Sequence, residues 1–144
     1  MACALGAFMA VSCLTIITPP VGSSPFGNQI EDLNFAAYCL TLYDTNLDGF
    51  ISATEADAVT EIRCPGRDIR SLQGVELFRN LKILDCSDNK LTTLDLSRNR
   101  ALTVLNCGGN ELKYLDVTDN PHLKYLNCNP QKGGEITPFV WQME

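Results

Sequence analysis

The sequence predicts an α/β fold: a short solenoid of stacked coils sharing one parallel β-sheet, closed at its front by a helix–loop–helix. Two patterns carry this reading. A motif recurs every 21 residues through the second half of the chain, and a twelve-residue acidic loop between two apolar-patterned stretches precedes the first copy. Composition supplies the frame, because 144 residues with 45% hydrophobic and 19% charged content suit one domain with its own core. The net charge of −6 argues against a general nucleic-acid binder, which needs a basic face. That charge is unevenly placed: residues 1–60 hold six acids and no Lys or Arg, whereas residues 61–144 hold eleven of each sign.

The repeat is read by aligning Leu81-Lys82-Ile83-Leu84-Asp85-Cys86 with Leu102-Thr103-Val104-Leu105-Asn106-Cys107 and Leu123-Lys124-Tyr125-Leu126-Asn127-Cys128. Asn89 and Asn110, then Leu91 and Leu112, then Leu94 and Leu115 follow at matching offsets. Asp95-Leu96-Ser97-Arg98-Asn99 matches Asp116-Val117-Thr118-Asp119-Asn120. A degenerate earlier unit, Ile62-Arg63-Cys64, then Ile69 and Leu72, fits with a spacing of 22. After Cys128 the pattern breaks, where Asn129-Pro130-Gln131 replaces the expected continuation. Leu84 and Cys86 stand two apart, so both face one side of a short strand. One unit cannot bury that face alone, and stacking supplies the core. The Asn residues are expected to turn the chain and bond neighbouring backbone from inside.

Over residues 61–131 these units resemble the leucine-rich repeat, L-x-x-L-x-[LC]-x-x-N-x-L, in the 21-residue, cysteine-type form found in exported bacterial surface proteins. The cysteines at the repeat position, Cys64, Cys86, Cys107 and Cys128, would sit on adjacent strands about 4.8 Å apart with their Cβ vectors parallel. A disulfide needs Cβ atoms roughly 3.8 Å apart and suitably turned. The expectation is a ladder of buried free thiols acting as small hydrophobes. Cys39 is expected in the core.

Ahead of the repeats, Asp44-Thr45-Asn46-Leu47-Asp48-Gly49-Phe50-Ile51-Ser52-Ala53-Thr54-Glu55 fits the EF-hand pattern D-x-[DN]-x-[DN]-G-x5-E throughout. Asp44, Asn46 and Asp48 offer oxygens at alternate positions, Phe50 a backbone carbonyl, Ser52 a hydroxyl, and Glu55 a bidentate carboxylate, a donor set suited to Ca²⁺. Gly49 permits the sharp bend. Ile30, Leu33, Ala37 and Leu40 fall at helical spacing before the loop. Ser52 and Glu55 form a capping box that opens a second helix, with Ala56, Val59 and Ile62 continuing an apolar stripe. The helix–loop–helix is placed at 29–60, with the role of front cap to the solenoid. A single such loop followed by cysteine-type repeats resembles a group of exported bacterial surface leucine-rich-repeat proteins, which implies binding at the cell surface.

Residues 1–28 read as a secretory or lipoprotein-like segment and linker. The apolar run 2–17 would span about 24 Å as a helix, short of a bilayer core of roughly 30 Å. Ala10-Val11-Ser12-Cys13 resembles a lipobox, making Cys13 a candidate acylation site. Residues 132–144 read as a C-terminal cap, with Ile136 to Trp141 as a closing strand or flap over the last repeat's edge and Trp141 as a capping core residue.

No G-x-S-x-G or H-E-x-x-H motif and no nucleophile–base pair is visible, and the one histidine, His122, falls in a loop, so no enzymatic activity is expected. Between the buried positions, Arg63, Ile83, Asp85, Ser87, Val104, Asn106, Gly108, Tyr125, Asn127 and Asn129 would line the concave sheet and form the default partner face. Four strands span only about 15 Å, which suits a peptide, a glycan or a second copy of the chain better than a large protein surface. The function expected is a non-enzymatic, calcium-binding interaction module, secreted or attached at the bacterial surface. A calcium sensor or buffer is the alternative, and a small hydrolase the remote one.

Overall fold

The computed structural model describes residues 30–139. The segment 1–28, with Cys13, and Trp141 of the closing strand lie outside the described residues. Helix α1 (Leu33–Tyr43) is opened by Asp32, whose Oδ1 accepts the N–H groups of Asn34 and Phe35. Helix α2 (Ala53–Ala58) is opened by Ser52 in a full capping box with Glu55. Four three-residue strands follow: β1 (Glu61–Arg63), β2 (Ile83–Asp85), β3 (Val104–Asn106) and β4 (Tyr125–Asn127). A 3₁₀ turn at Val75–Leu77 lies between β1 and β2. The strands pair in chain order as one parallel sheet, with Ile62, Leu84, Leu105 and Leu126 in one register row.

Ile62, Leu84 and Leu105 are fully buried, as are Leu81 and Leu102 three residues before the latter two. Behind them the coils are tied by a ladder of buried amides. Asn89 Nδ2 donates to the carbonyls of Cys64 and Cys86 at 2.8 and 3.0 Å, and Asn110 Nδ2 to those of Cys86 and Cys107 at 3.0 and 2.9 Å. Their Oδ1 atoms accept from Ile69 N–H and Leu91 N–H. Although the sequence pattern breaks after Cys128, Gln131 takes the next rung. Its Nε2 donates to the Cys107 and Cys128 carbonyls and its Oε1 accepts Leu112 N–H. A longer side chain supplies the same amide. On the opposite side of the coil Asn99 and Asn120 each donate to two carbonyls, while their own Oδ1 atoms are buried without a partner among the described residues.

The five cysteines among the described residues are unbridged and buried. Cys39, on α1, is buried in the same core as the sheet thiols, as expected. Burial, and secondarily the neighbouring thiol, raises the pKa of Cys39 and Cys107, the latter to about 12.

The helix pair covers the front of the stack with only part of the expected stripe, since Ile30 and Leu40 pack against the core. Phe35, Tyr38 and Cys39 are buried, whereas Leu33 is 81% exposed and Ala37 is exposed. The larger aromatic side of α1 wins because its hydroxyls reach the open edge of β1: Tyr38 Oη accepts Arg63 N–H at 3.0 Å and Tyr43 Oη donates to the Glu61 carbonyl at 2.9 Å. Ala56, Val59 and Ile62 are buried as expected, although α2 ends at Ala58 and Ile62 lies on β1. At the rear, the closing segment pairs with the last full coil on the side away from β4. Phe139 bridges Asp116, bonding Leu115 O and Val117 N at 2.8 and 2.9 Å. The segment therefore follows the coil's far side and leaves the outer edge of β4 without a strand among the described residues.

The two amide positions differ in a testable way. Asn110→Ala leaves the Leu91 N–H without its partner and takes one of two amide donors from each of the Cys86 and Cys107 carbonyls, and is expected to lower unfolding free energy by about 3 kcal/mol. Asn120→Ala also removes an already unpaired buried oxygen and should cost about half as much. Urea denaturation of both variants checks the order.

Candidate functional site

The acidic loop runs from Asp44, the C-cap of α1, to Glu55 in the first turn of α2. Its backbone is curled by its own side chains. Asp44 Oδ2 accepts Gly49 N–H at 2.8 Å and Asp44 Oδ1 accepts Asp48 N–H at 3.2 Å. Asn46 Oδ1 also accepts Asp48 N–H, and Asp48 Oδ1 accepts Phe50 N–H at 2.9 Å. Leu47 and Gly49 take left-handed φ values of 59° and 84°. Space does not demand the glycine, since a Cβ there would meet nothing within 4 Å; the positive φ does.

The motif makes Glu55 the closing ligand of this loop, and the structure places its carboxylate in a set of hydrogen bonds. Oε1 accepts Thr45 N–H and Oγ1 at 2.7 and 2.8 Å; Oε2 accepts Ser52 N–H and Oγ at 2.9 and 2.7 Å. The side chain thus latches the loop's entry to its exit. Those bonds, led by the one from the Ser52 hydroxyl, lower its pKa to about 2. Asn46 Nδ2 meanwhile donates to Asp48 Oδ2 at 2.9 Å. Among the described residues no three His, Cys, Asp or Glu side chains are grouped closely enough to hold a metal ion. The backbone curl suits an ion; the carboxylates, as placed, are bound to the protein itself.

The concave face carries two rows set by strand register. Glu61, Ile83, Val104 and Tyr125 form one, and Arg63, Asp85, Asn106 and Asn127 the other. Ile83 and Val104 are half-buried and Tyr125 is 56% exposed, an apolar stripe. The second row is polar and largely pre-bonded. Arg63 pairs with Glu61, Asp85 Oδ1 accepts the Ser87 hydroxyl at 2.7 Å, and Asn127 Nδ2 donates to Asn106 Oδ1 at 3.0 Å. Gly108 is buried: a Cβ there would approach Asn129 O to 3.1 Å, so it contributes close packing and no contact surface. Asn129 is tied to Ile136 through both side-chain polar atoms. The loop and the concave face are thus separate sites, bridged by Tyr43, which leads from α1 into the loop and bonds β1.

Comparison with known proteins places the fold. No protein-family profile matches the chain. Internalin J of Listeria monocytogenes is 36% identical over 74 residues, 51% of this chain and 8% of that protein. The solved functional domain of internalin J, described as including a cysteine ladder, superposes with a TM-score of 0.69 at 32% identity. The fold is a leucine-rich-repeat α/β solenoid. That match covers 84% of this chain and 25% of the domain. An internalin (inlF) of the same organism gives a TM-score of 0.68 at 22% identity, covering 87% of this chain and 35% of that one, a likeness of fold. The chain spans a quarter of the solved internalin J domain and under a tenth of the curated protein.

The two tyrosines that seal β1 are the functional side chains that sequence reasoning misses. Their spacing from Phe35 along the helix is a signal, but the aliphatic stripe of Ile30, Leu33, Ala37 and Leu40 outweighs it. The Glu55 latch yields a pH dependence. A carboxyl whose folded pKa lies below its unfolded one stabilises the fold fully above pH 4.5, and that contribution is lost as pH falls through about 2. Acid titration of the helical signal should therefore show a component in this window that Glu55→Gln removes.

Proposed function

We propose that the chain is a non-enzymatic interaction module of the bacterial cell surface that presents its concave sheet to a protein or peptide ligand. The observation that carries this is the pairing of an apolar row, Ile83, Val104 and Tyr125, with a polar row, Arg63, Asp85, Asn106 and Asn127, in strict register. An extended ligand crossing the strands would set apolar side chains on the first row and hydrogen bonds on the second. A glycan is the second ligand class, since Tyr125 offers a flat stacking surface beside amides. Catalysis is not favoured by the acids that recur with the repeat: Asp95 and Asp116 accept bonds from Ser97 and Thr118 in turns. Surface placement would come from export of the N-terminal segment, with acylation at Cys13 as the attachment. Intact mass of the membrane-extracted protein tests that attachment: a diacylglyceryl adduct on a chain beginning at Cys13 supports it, and a soluble, unmodified chain removes it.

Peptide-display and glycan-array screens test the concave reading. Ligands retained by the chain should be lost with Val104→Arg or Tyr125→Ala and kept with Tyr114→Ala, which alters an exposed side chain outside the two rows. Retention by all three variants would move the site elsewhere.

We further propose that Asp44, Asn46, Asp48, Ser52 and Glu55, with the Phe50 carbonyl, take up Ca²⁺. The left-handed Leu47 and Gly49 and the inward amide bonds of the loop support this reading, and the Glu55 latch opposes it, because the carboxylate has to leave Thr45 to serve an ion. The ion would supply a fixed positive charge among carboxylates and tie both helices to one point. Calorimetric titration should show one site per chain, absent in Asp44→Ala and Glu55→Gln. Chelator should then lower the melting temperature. No heat and an unchanged melt would reject calcium and leave the latch as the loop's organiser. A sensor role is favoured by one feature, a cleft of about 420 Å³ between the helices, lined by Leu42, Tyr43, Ala58 and Val59 with Glu55 beside it. Calcium-dependent binding of an apolar dye would support it.

A further inference from the structure

The two ends of the solenoid are finished differently. At the front, the outward Glu61 carbonyl and Arg63 N–H of β1 are taken by Tyr43 and Tyr38. At the rear, Tyr125 N–H donates to Thr103 O and Asn127 O accepts Cys107 N–H, so both residues bond towards β3. The backbone N–H and carbonyl of Leu126, between them, face outward, and among the described residues nothing meets them. Side-chain burial agrees. Leu84 and Leu105 are fully buried, while Leu126, next in their row, is only half-buried. Beside it Tyr125 is 56% exposed, and Ile136, bonded to Asn129 just past the strand, is half-buried.

We propose that this end face is a homodimer interface, with two copies meeting rear to rear and β4 pairing antiparallel with its partner about a two-fold axis through Leu126. Three observations select a second copy. The outward groups of Leu126 are one donor and one acceptor on a single residue, and across a two-fold each meets its complement. Head-to-tail stacking has no edge to use, because the tyrosine hydroxyls occupy the front, so the assembly closes at two. Charge disfavours the front-to-front alternative. Residues 30–60, the front cap, carry six acids and no Lys or Arg, whereas the last coil, residues 121–139, has Lys124 and Lys132 against Glu135. Rear-to-rear contact keeps the acidic caps apart by six or more strand spacings, roughly 30 Å, several Debye lengths at physiological salt. Contact through the caps would oppose like charges.

Sedimentation velocity of the full chain, from micromolar to hundreds of micromolar, tests this. The expected result is a concentration-dependent species of twice the 15.8 kDa chain mass. Tyr125→Lys sets two like charges beside the axis and should weaken dimerisation about tenfold or more. Leu126→Pro deletes the outward N–H at an edge position where proline is tolerated, and should abolish the dimer. Circular dichroism melts show whether each variant still folds, and Tyr125→Lys, at an exposed position, keeps the test open if Leu126→Pro does not. A single chain mass at every concentration, or a dimer indifferent to both changes, overturns the proposal. A monomer in which Trp141, the one tryptophan, emits as a buried indole also overturns it and gives the face to residues 140–144.

Discussion

A coil that bends around a dry core has to turn peptide groups inward where the chain leaves the strand, and no water is there to receive them. In this chain the carbonyls of Cys64, Cys86, Cys107 and Cys128 are those groups, and the amides of Asn89, Asn110 and Gln131 meet them. Each amide serves its own coil and the coil before it, so no unit is satisfied alone. An unpaired buried carbonyl costs about 1–3 kcal/mol, comparable to a buried leucine's contribution, so the amide ladder and the leucine rows have similar weight. The ladder also fixes the spacing of the thiols. Side chains held one strand apart, with parallel Cβ vectors, pack against each other without bridging. Burial that pushes Cys64 and Cys107 up to about 12 keeps them as inert thiols at neutral pH.

A repeat that passes its unmet bonds forward ends with unmet bonds at both ends, and the helix pair is the front's answer. Its fit is polar as well as apolar. Phe35 and Cys39 supply the buried surface, while the hydroxyls of Tyr38 and Tyr43 stand in for the strand that would precede β1. Tyr43 also packs edge-on against Phe78, and Arg67 lies over the Tyr38 ring at 4.9 Å. These rings are held from both sides, so the front edge is closed to strand pairing, which is what a parallel sheet exposed in solution requires.

The repeat, its register and the burial of its leucines and thiols are legible in the sequence because each recurs, so that one misreading would break several matches at once. The last amide of the ladder is not, since Gln131 looks unlike asparagine until its carbonyl partners are seen. The face of α1 is hidden for a related reason. Ile30, Leu33, Ala37 and Leu40 satisfy helical periodicity as well as Phe35, Tyr38 and Cys39 do, and periodicity cannot report that the docking surface offers a backbone N–H and carbonyl as well as apolar area. Tyrosine serves both; leucine serves one. The concave rows follow directly from the two-residue alternation of the strands, whereas the internal bonds that hold Asp85, Asn106 and Asn129 in place come from residues whose neighbours only the fold reveals.

Glu55 shows why a motif that matches at every position still leaves its chemistry open. Position twelve of the loop is also the third residue of α2, where a glutamate after Ser52 completes a capping box. Both uses demand the same residue, so the sequence cannot separate them. The Thr45 amide and hydroxyl add two further bonds to the carboxylate, and these belong to the latch alone. An ion competing for Glu55 would have to replace bonds strong enough to hold its pKa at about 2, whereas Asp44 and Asp48 give up nothing beyond the loop amides they already orient. The balance between latch and ligand at this one side chain therefore sets whether the helix pair is fastened by the protein's own hydrogen bonds or by a cation. In either state it is Tyr43, immediately ahead of the loop, that transmits the fastening to the sheet.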